Sequence, residues 1–154
     1  MVLGGQETLL YEMARAYAVV ANGGRSVPMH GVNRIYDLGI CKSALNLAQC
    51  PPIGVTTPIG EKPQQLIDPP LADAMDGLLL RVVQVGTGRN AGSVADARGK
   101  TGTTNDGVDA WFIGYSPSRG ILTGIWMGND DNHQADYASG ALAAQLWAEF
   151  MGKV

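Results

Sequence analysis

The chain has 154 residues, enough for one domain with its own hydrophobic core. Its 45% apolar and 16% charged residues describe a globular chain, not a disordered one. A net charge of −3 supplies no basic face for nucleic acid, and no apolar run approaches the ~18 residues of a membrane span.

Met1 is followed at once by VLGGQE, so the N-terminus does not read as a signal peptide. ETLLYEMARAYAVVANGG (7–24) reads as a helix, with Leu10, Met13, Ala14, Tyr17, Val20 and Ala21 at spacings of three and four. Glu7 and Glu12 sit where the helix dipole favours anions, and Gly23-Gly24 gives the stop. Residues 25–39 alternate weakly and predict one or two short strands. Residues 40–67 carry four prolines and read as a surface excursion. Cys41 and Cys50 form no C-x-x-C pair, which argues against zinc or a dithiol centre. They are either small core residues or free thiols, or a disulfide formed in an oxidising compartment.

A second helix opens at Asp68, an N-cap candidate, with Pro69 at the first helical position. Leu71, Met75, Leu78, Leu79 and Val82 define its apolar face, and Gly86-Thr87-Gly88 ends it. Gly77 inside it should cost about 1 kcal/mol against Ala unless another element packs closely there. DAWFIGYSP and ILTGIWMGN are apolar on both alternating faces, as strands covered on both sides would be, and SPSRG joins them as a hairpin turn. GKTGTT starts or forms a third strand. SGALAAQLWAEFMGKV closes the chain as a helix with Leu142, Leu146, Trp147 and Phe150 on one face.

The chemically suggestive stretch is RGKTGTTND, residues 98–106. As a phosphate loop of the form G-x-x-x-x-G-K-[ST] it fails, because position 94 is Val94 and strands, not a helix, follow. Asn105-Asp106-Gly107 is a turn signal. NDDNH (129–133) fits no ordered metal-ligand spacing and reads as a solvated turn, and His30 as a surface residue. Trp111, Trp126 and Trp147 fall at core spacing and read as packing. Asp109, at a strand start, is a candidate for indirect contact with a cleft.

GKTGTTND, DAWFIGYSP, TGIWMGND and GALAAQLWAEFM, in this order, resemble the C-terminal part of the transpeptidase domain of class A penicillin-binding proteins. LGGQETLLYEMARAYAVVANGG and LLLRVVQVGTGRNA are similar to the two helical segments upstream in that family; residues 25–67 match least. The resemblance implies an α/β (α+β) fold, an antiparallel sheet flanked by helices, of which residues 1–154 supply about three of five strands. It implies a peptidoglycan-crosslinking D,D-transpeptidase that binds D-Ala-D-Ala stem peptides and β-lactams, outside the cytoplasm, without a cofactor or metal. Lys100 would polarise the cleft and aid proton transfer. Thr101, Gly102, Thr103 and Thr104 would line the substrate, and the Thr103 N–H would be one of two oxyanion-hole donors.

The family's nucleophile lies in S-x-x-K. Here Ser26, Ser43, Ser93, Ser116, Ser118 and Ser139 are followed three residues on by Met29, Asn46, Asp96, Arg119, Ile121 and Leu142, and no S-x-N element occurs. The expectation is therefore a portion of a larger transpeptidase whose N-terminal half holds the nucleophile, and an isolated chain without acyltransfer activity. A non-catalytic stem-peptide or partner-binding module of the same fold is the alternative. A serine β-lactamase is a third option, disfavoured because GKTGTTND…DAWFIGY looks more like a synthase.

Overall fold

The computed structural model describes residues 8–32, 34–41, 50–55, 62–104, 107–131, 133–135 and 137–154. In chain order the elements are α1 (Leu10–Ala21), β1 (Arg34–Ile35), β2 (Gly54–Val55) and α2 (Pro69–Val85). A 3-10 turn at Arg89–Ala91 leads to β3 (Arg98–Thr103), β4 (Asp109–Ser116), β5 (Ile121–Gly128) and α3 (Gly140–Met151).

The antiparallel sheet β3-β4-β5 organises the molecule, with β4 in the centre. Side chains alternate across β4. Phe112 and Gly114 face α3, where the Phe112 and Trp147 rings meet edge to face with centroids 5.3 Å apart. Ile113 and Tyr115 face the other way, toward α1 and α2: Tyr115 reaches Asp76 of α2, and Leu10 of α1 lies over Gly124, the partner of Ile113. After α2 the chain crosses to the Phe112 face, where Ala91, Val94 and Ala97 join Phe112, Trp147 and Met151 in the core.

Glycine is required at one place in this core. Gly99 and Gly114 are directly opposite each other on β3 and β4. A Cβ on Gly99 would collide with Phe112 Cζ and come within 2.8 Å of Ile113 O; one on Gly114 would come within 2.7 Å of Arg98 O and 3.1 Å of Trp147 Cε2. The pair forms a notch that receives both rings.

Several expectations need correction. In α2 the buried face is Ala72, Leu79 and Val83; of the expected face, Leu71, Met75 and Leu78 are exposed. In α3 the small residues Ala143, Ala144 and Ala148 turn inward with Trp147 and Met151, leaving Leu146 and Phe150 outside. Alanines bring the helix backbone close enough for Trp147 to fill the space above the notch. In α1 the buried residue is Val19, one position off the expected stripe, while Leu10 and Ala21 are exposed. Among the described residues β5 is an edge strand and only half-buried, unlike the covered β4. Trp126 is exposed rather than packed; its indole N–H donates to Asp109 Oδ1 at 2.7 Å. The 40–67 segment includes β2, which pairs with β1. Asn105 and Asp106 of the expected turn, Glu7, and residues 42–49 lie outside the described residues. The structure joins Cys41 and Cys50 in a disulfide, with Cα atoms 5.1 Å apart.

Two substitutions test this account by urea denaturation. Gly99→Ala should lower stability by about 1–3 kcal/mol, the cost of overpacking a filled core. Gly77, where an added Cβ meets nothing within 4 Å, should gain up to ~1 kcal/mol as Gly77→Ala.

Candidate active site

β3 carries Gly99-Lys100-Thr101-Gly102-Thr103, and no described strand lies beyond it. Its ladder to β4 fixes which backbone groups face that open edge. The Thr104 N–H donates to Asp109 O at 3.0 Å. Bonded positions alternate in an antiparallel pair, so Gly102, Lys100 and Arg98 also bond toward β4. The N–H and C=O groups of Thr103, Thr101 and Gly99 therefore point away from β4, along the edge.

Polar side chains gather on the same edge. Lys100 is exposed and curls back, Nζ donating to Thr101 O at 2.7 Å. Thr101 Oγ1 lies 2.6 Å from Thr87 Oγ1, in the loop that leaves α2. On the α3 side, Gly140 opens the helix against the two threonines. A Cβ there would come within 2.9 Å of Thr101 Cβ and 3.4 Å of Thr103 Oγ1. Ser139 caps α3, its hydroxyl accepting the Leu142 N–H at 3.1 Å. The helix N-terminus adds partial positive charge beside Thr103. Outward N–H groups, an ammonium and a helix start together favour an anionic group at this edge.

Each expected residue has a definite place. Lys100, Thr101, Gly102 and Thr103 lie on one strand, with both threonine side chains toward α3. Gly102 stands opposite Trp111, so no side chain rises there on the Lys100 face. Thr104 is committed elsewhere: its Oγ1 accepts the N–H groups of Val108 and Asp109, each at 2.9 Å, and closes the β3–β4 turn. Asp109 holds Trp126 and is not on the β3 edge. His30 is exposed, and Asp131 and His133 pair with each other at 3.0 Å in solvent. No metal-binding group of three or more ligating residues occurs among the described residues.

Sequence reasoning missed the supports of the strand. Arg98 Nε donates to both oxygens of Asp76 at 3.1 Å, and Tyr115 OH donates to Asp76 Oδ1 at 2.7 Å, tying α2 to β3 and β4. Burial, then the bond to Asp76 and its negative charge, push the Tyr115 phenol well above the ordinary tyrosine range. Asp96, at φ 55°, accepts from Ser116 Oγ at 2.6 Å and Ser118 N at 2.8 Å, clamping the β4–β5 turn. Burial alone would raise its carboxyl. The hydrogen bonds from Ser116 and Ser118 and the Arg98 charge outweigh burial and hold it below its usual value of 3.8. No local sequence pattern marks these pairings, because each joins residues 20 or more positions apart.

The chain belongs to the penicillin-binding protein transpeptidase family: the family model described as "Penicillin binding protein transpeptidase domain" matches residues 9–152. Among curated relatives, penicillin-binding protein 1A of Neisseria flavescens is 38% identical over 99% of this chain, and that of Neisseria gonorrhoeae is 37% identical over 98%. The chain spans 18% of the length of each. In fold it is similar to penicillin-binding protein 1A from Haemophilus influenzae, with a TM-score of 0.73 at 24% identity over 95% of this chain and 26% of that one. It is also similar to penicillin-binding protein A from M. tuberculosis, solved as an imipenem acyl-enzyme complex, with a TM-score of 0.66 at 20% identity over 96% of this chain and 32% of that one. The mixed α/β architecture and antiparallel sheet expected from the sequence are thus those of the transpeptidase fold.

The Asp96 clamp gives a pH test. A carboxyl lowered in the folded state contributes stability that is present above its unfolded pKa, near 3.8, and is lost as pH falls through the depressed value. Denaturation midpoints between pH 5 and pH 2 should therefore fall more steeply for the wild type than for Asp96→Asn. Parallel curves would exclude the clamp.

Proposed function

We propose that this chain forms one wall of the substrate cleft of a peptidoglycan-crosslinking D,D-transpeptidase acting outside the cytoplasm. The observation that carries this reading is the open edge of β3, where the Thr103 N–H points outward beside the Lys100 ammonium and the start of α3. Acyl transfer from a D-Ala-D-Ala stem needs a donor aimed at the oxygen that becomes negative when serine attacks the carbonyl. One such donor contributes roughly 3–4 kcal/mol. It also needs a cation to steady the terminal carboxylate and help move the serine proton. Lys100 and the hydroxyls of Thr101 and Thr103 take these roles, and Gly102 leaves room for the substrate backbone. The same edge accepts a β-lactam, whose carboxylate and acyl oxygen mimic those of the stem.

The nucleophilic serine and its S-x-x-K lysine belong to the larger protein, of which these 154 residues form part. No serine in the sequence has lysine at the third position, and relatives are several times longer. This serine inventory also favours a second reading, a module that binds stem peptide without cleaving it.

Intact mass spectrometry separates the two. The full-length protein should gain one antibiotic mass on incubation with a penicillin, and the 154-residue chain alone should gain none. An adduct on the chain alone would sink the account of the nucleophile. A full-length protein that binds D-Ala-D-Ala peptide but is never acylated would establish the module. In the full-length protein, Lys100→Ala should slow acylation by about 100-fold or more, as loss of a proton-transfer group does. Thr103→Val keeps the N–H but loses the hydroxyl, and should slow acylation by roughly 10- to 100-fold, the worth of one hydrogen bond to a charged group.

A further inference from the structure

The turn that leaves α2 reaches β3 on the α3 side of the sheet. Gly86 and Gly88 donate their N–H groups to the same carbonyl, Val82 O, at 3.0 and 3.1 Å. A Cβ on Gly86 would come within 2.9 Å of that oxygen. One on Gly88 would come within 3.2 Å of Val82 Cγ1 and 3.3 Å of Phe112 Cε2. The turn therefore lies flat on the helix end and the core, with Thr87 held between the two glycines. The Thr87 hydroxyl lies 2.6 Å from Thr101 Oγ1. Asn90 of the same turn donates from Nδ2 to Ala141 O at 3.0 Å, in the first turn of α3. One short turn thus braces both the β3 edge and the helix start beside it.

We infer that Thr87 is a positioning residue: its hydroxyl, by donating to Thr101 Oγ1, makes the Thr101 hydroxyl a donor to the carboxylate of the ligand. The inference rests on the reading of the β3 edge as a transpeptidase cleft and adds to it a residue outside the strand. Thr87 is exposed, so water would serve its hydroxyl as well, and the bond adds little to stability. Its effect is on direction. A hydroxyl has one proton and two lone pairs. The oxygen of Thr101 has Thr87 on one side and Lys100 Nζ at 3.5 Å on another. When Thr87 donates, the Thr101 proton is left for a third partner, and an anion at the edge takes it. The chain Thr87 to Thr101 to carboxylate then runs in one direction, and each bond polarises the next.

Acylation of the full-length protein by benzylpenicillin, followed by intact mass spectrometry over a range of antibiotic concentrations, tests this role. Thr87→Val keeps the shape and removes the hydroxyl. It should raise the concentration for half-maximal rate by about 3- to 10-fold, the worth of one neutral hydrogen bond. The limiting rate and the melting temperature should stay as they are. Thr87→Ser should restore the wild-type value. A double-mutant cycle shows whether Thr87 acts through Thr101. In a Thr101→Val background, Thr87→Val should cost nothing further. An equal loss in both backgrounds overturns the inference, as does a loss that comes with a lowered melting temperature and persists without the Thr101 hydroxyl. Wild-type kinetics for Thr87→Val overturn it while leaving the transpeptidase reading in place. A full-length wild type that is never acylated overturns both.

Discussion

The notch made by Gly99 and Gly114 governs the rest of the structure. Two opposed glycines remove the side chains from one spot on the sheet, so Phe112 can lie there and Trp147 can meet it edge to face. The contact sets the height of α3 above the sheet, and that height requires alanines at 143, 144 and 148. It also sets where α3 begins. With the helix held so low, Gly140 abuts Thr101 and Thr103, bringing the helix start to the open edge of β3. The Trp147 indole N–H is buried without a partner among the described residues, at a cost of about 1–3 kcal/mol, so shape rather than hydrogen bonding holds the ring.

The second constraint is the outer anchoring of β3. An edge strand held on one side by a ladder can twist and fray. Here Arg98 is fixed to Asp76, and Asp76 also takes the Tyr115 hydroxyl. One carboxylate thus joins α2, β3 and β4 immediately before Gly99-Lys100. On the far side of the sheet the Asp96 carboxylate grips the β4–β5 turn. The strand is steadied at its base while the edge at Lys100–Thr103 stays open.

Local signals in the sequence were reliable where one element decides the outcome. Asp68-Pro69 starts α2, Gly86 ends it, and the strand-turn-strand of β4 and β5 falls where alternation and SPSRG place it. Helix faces were less legible, because hydrophobicity alone marks the largest residues. In α3 the alanines face the sheet beside Trp147 while Leu146 and Phe150 face outward, for a reason that lies in the Phe112–Trp147 contact and not in the helix; in α2 the buried face is Ala72, Leu79 and Val83, while Leu71, Met75 and Leu78 face outward. Strand position points Trp126 to the core, yet its indole N–H is held by Asp109, which only the β4–β5 register brings alongside. For the candidate site, the Lys-Thr-Gly tripeptide could be found on the strand, but the edge its backbone faces depends on the ladder. Thr104 shows the limit: next to the motif in sequence, its hydroxyl is turned into the hairpin by Val108 and Asp109.

The internal bond of Lys100 has a consequence for selectivity. At rest the ammonium gives one of its three N–H groups to the carbonyl of Thr101, and that bond holds the charge at the open edge with donors to spare. A ligand at this edge would add to the bond rather than replace it. A carboxylate is a stronger partner for an ammonium than the neutral oxygen of an amide or ester. In the proposed role, a chain-terminal stem would thus be favoured over an internal stretch of the same peptide before any covalent step begins. The backbone of the strand would in this way aim the charge by which it tells its ligands apart.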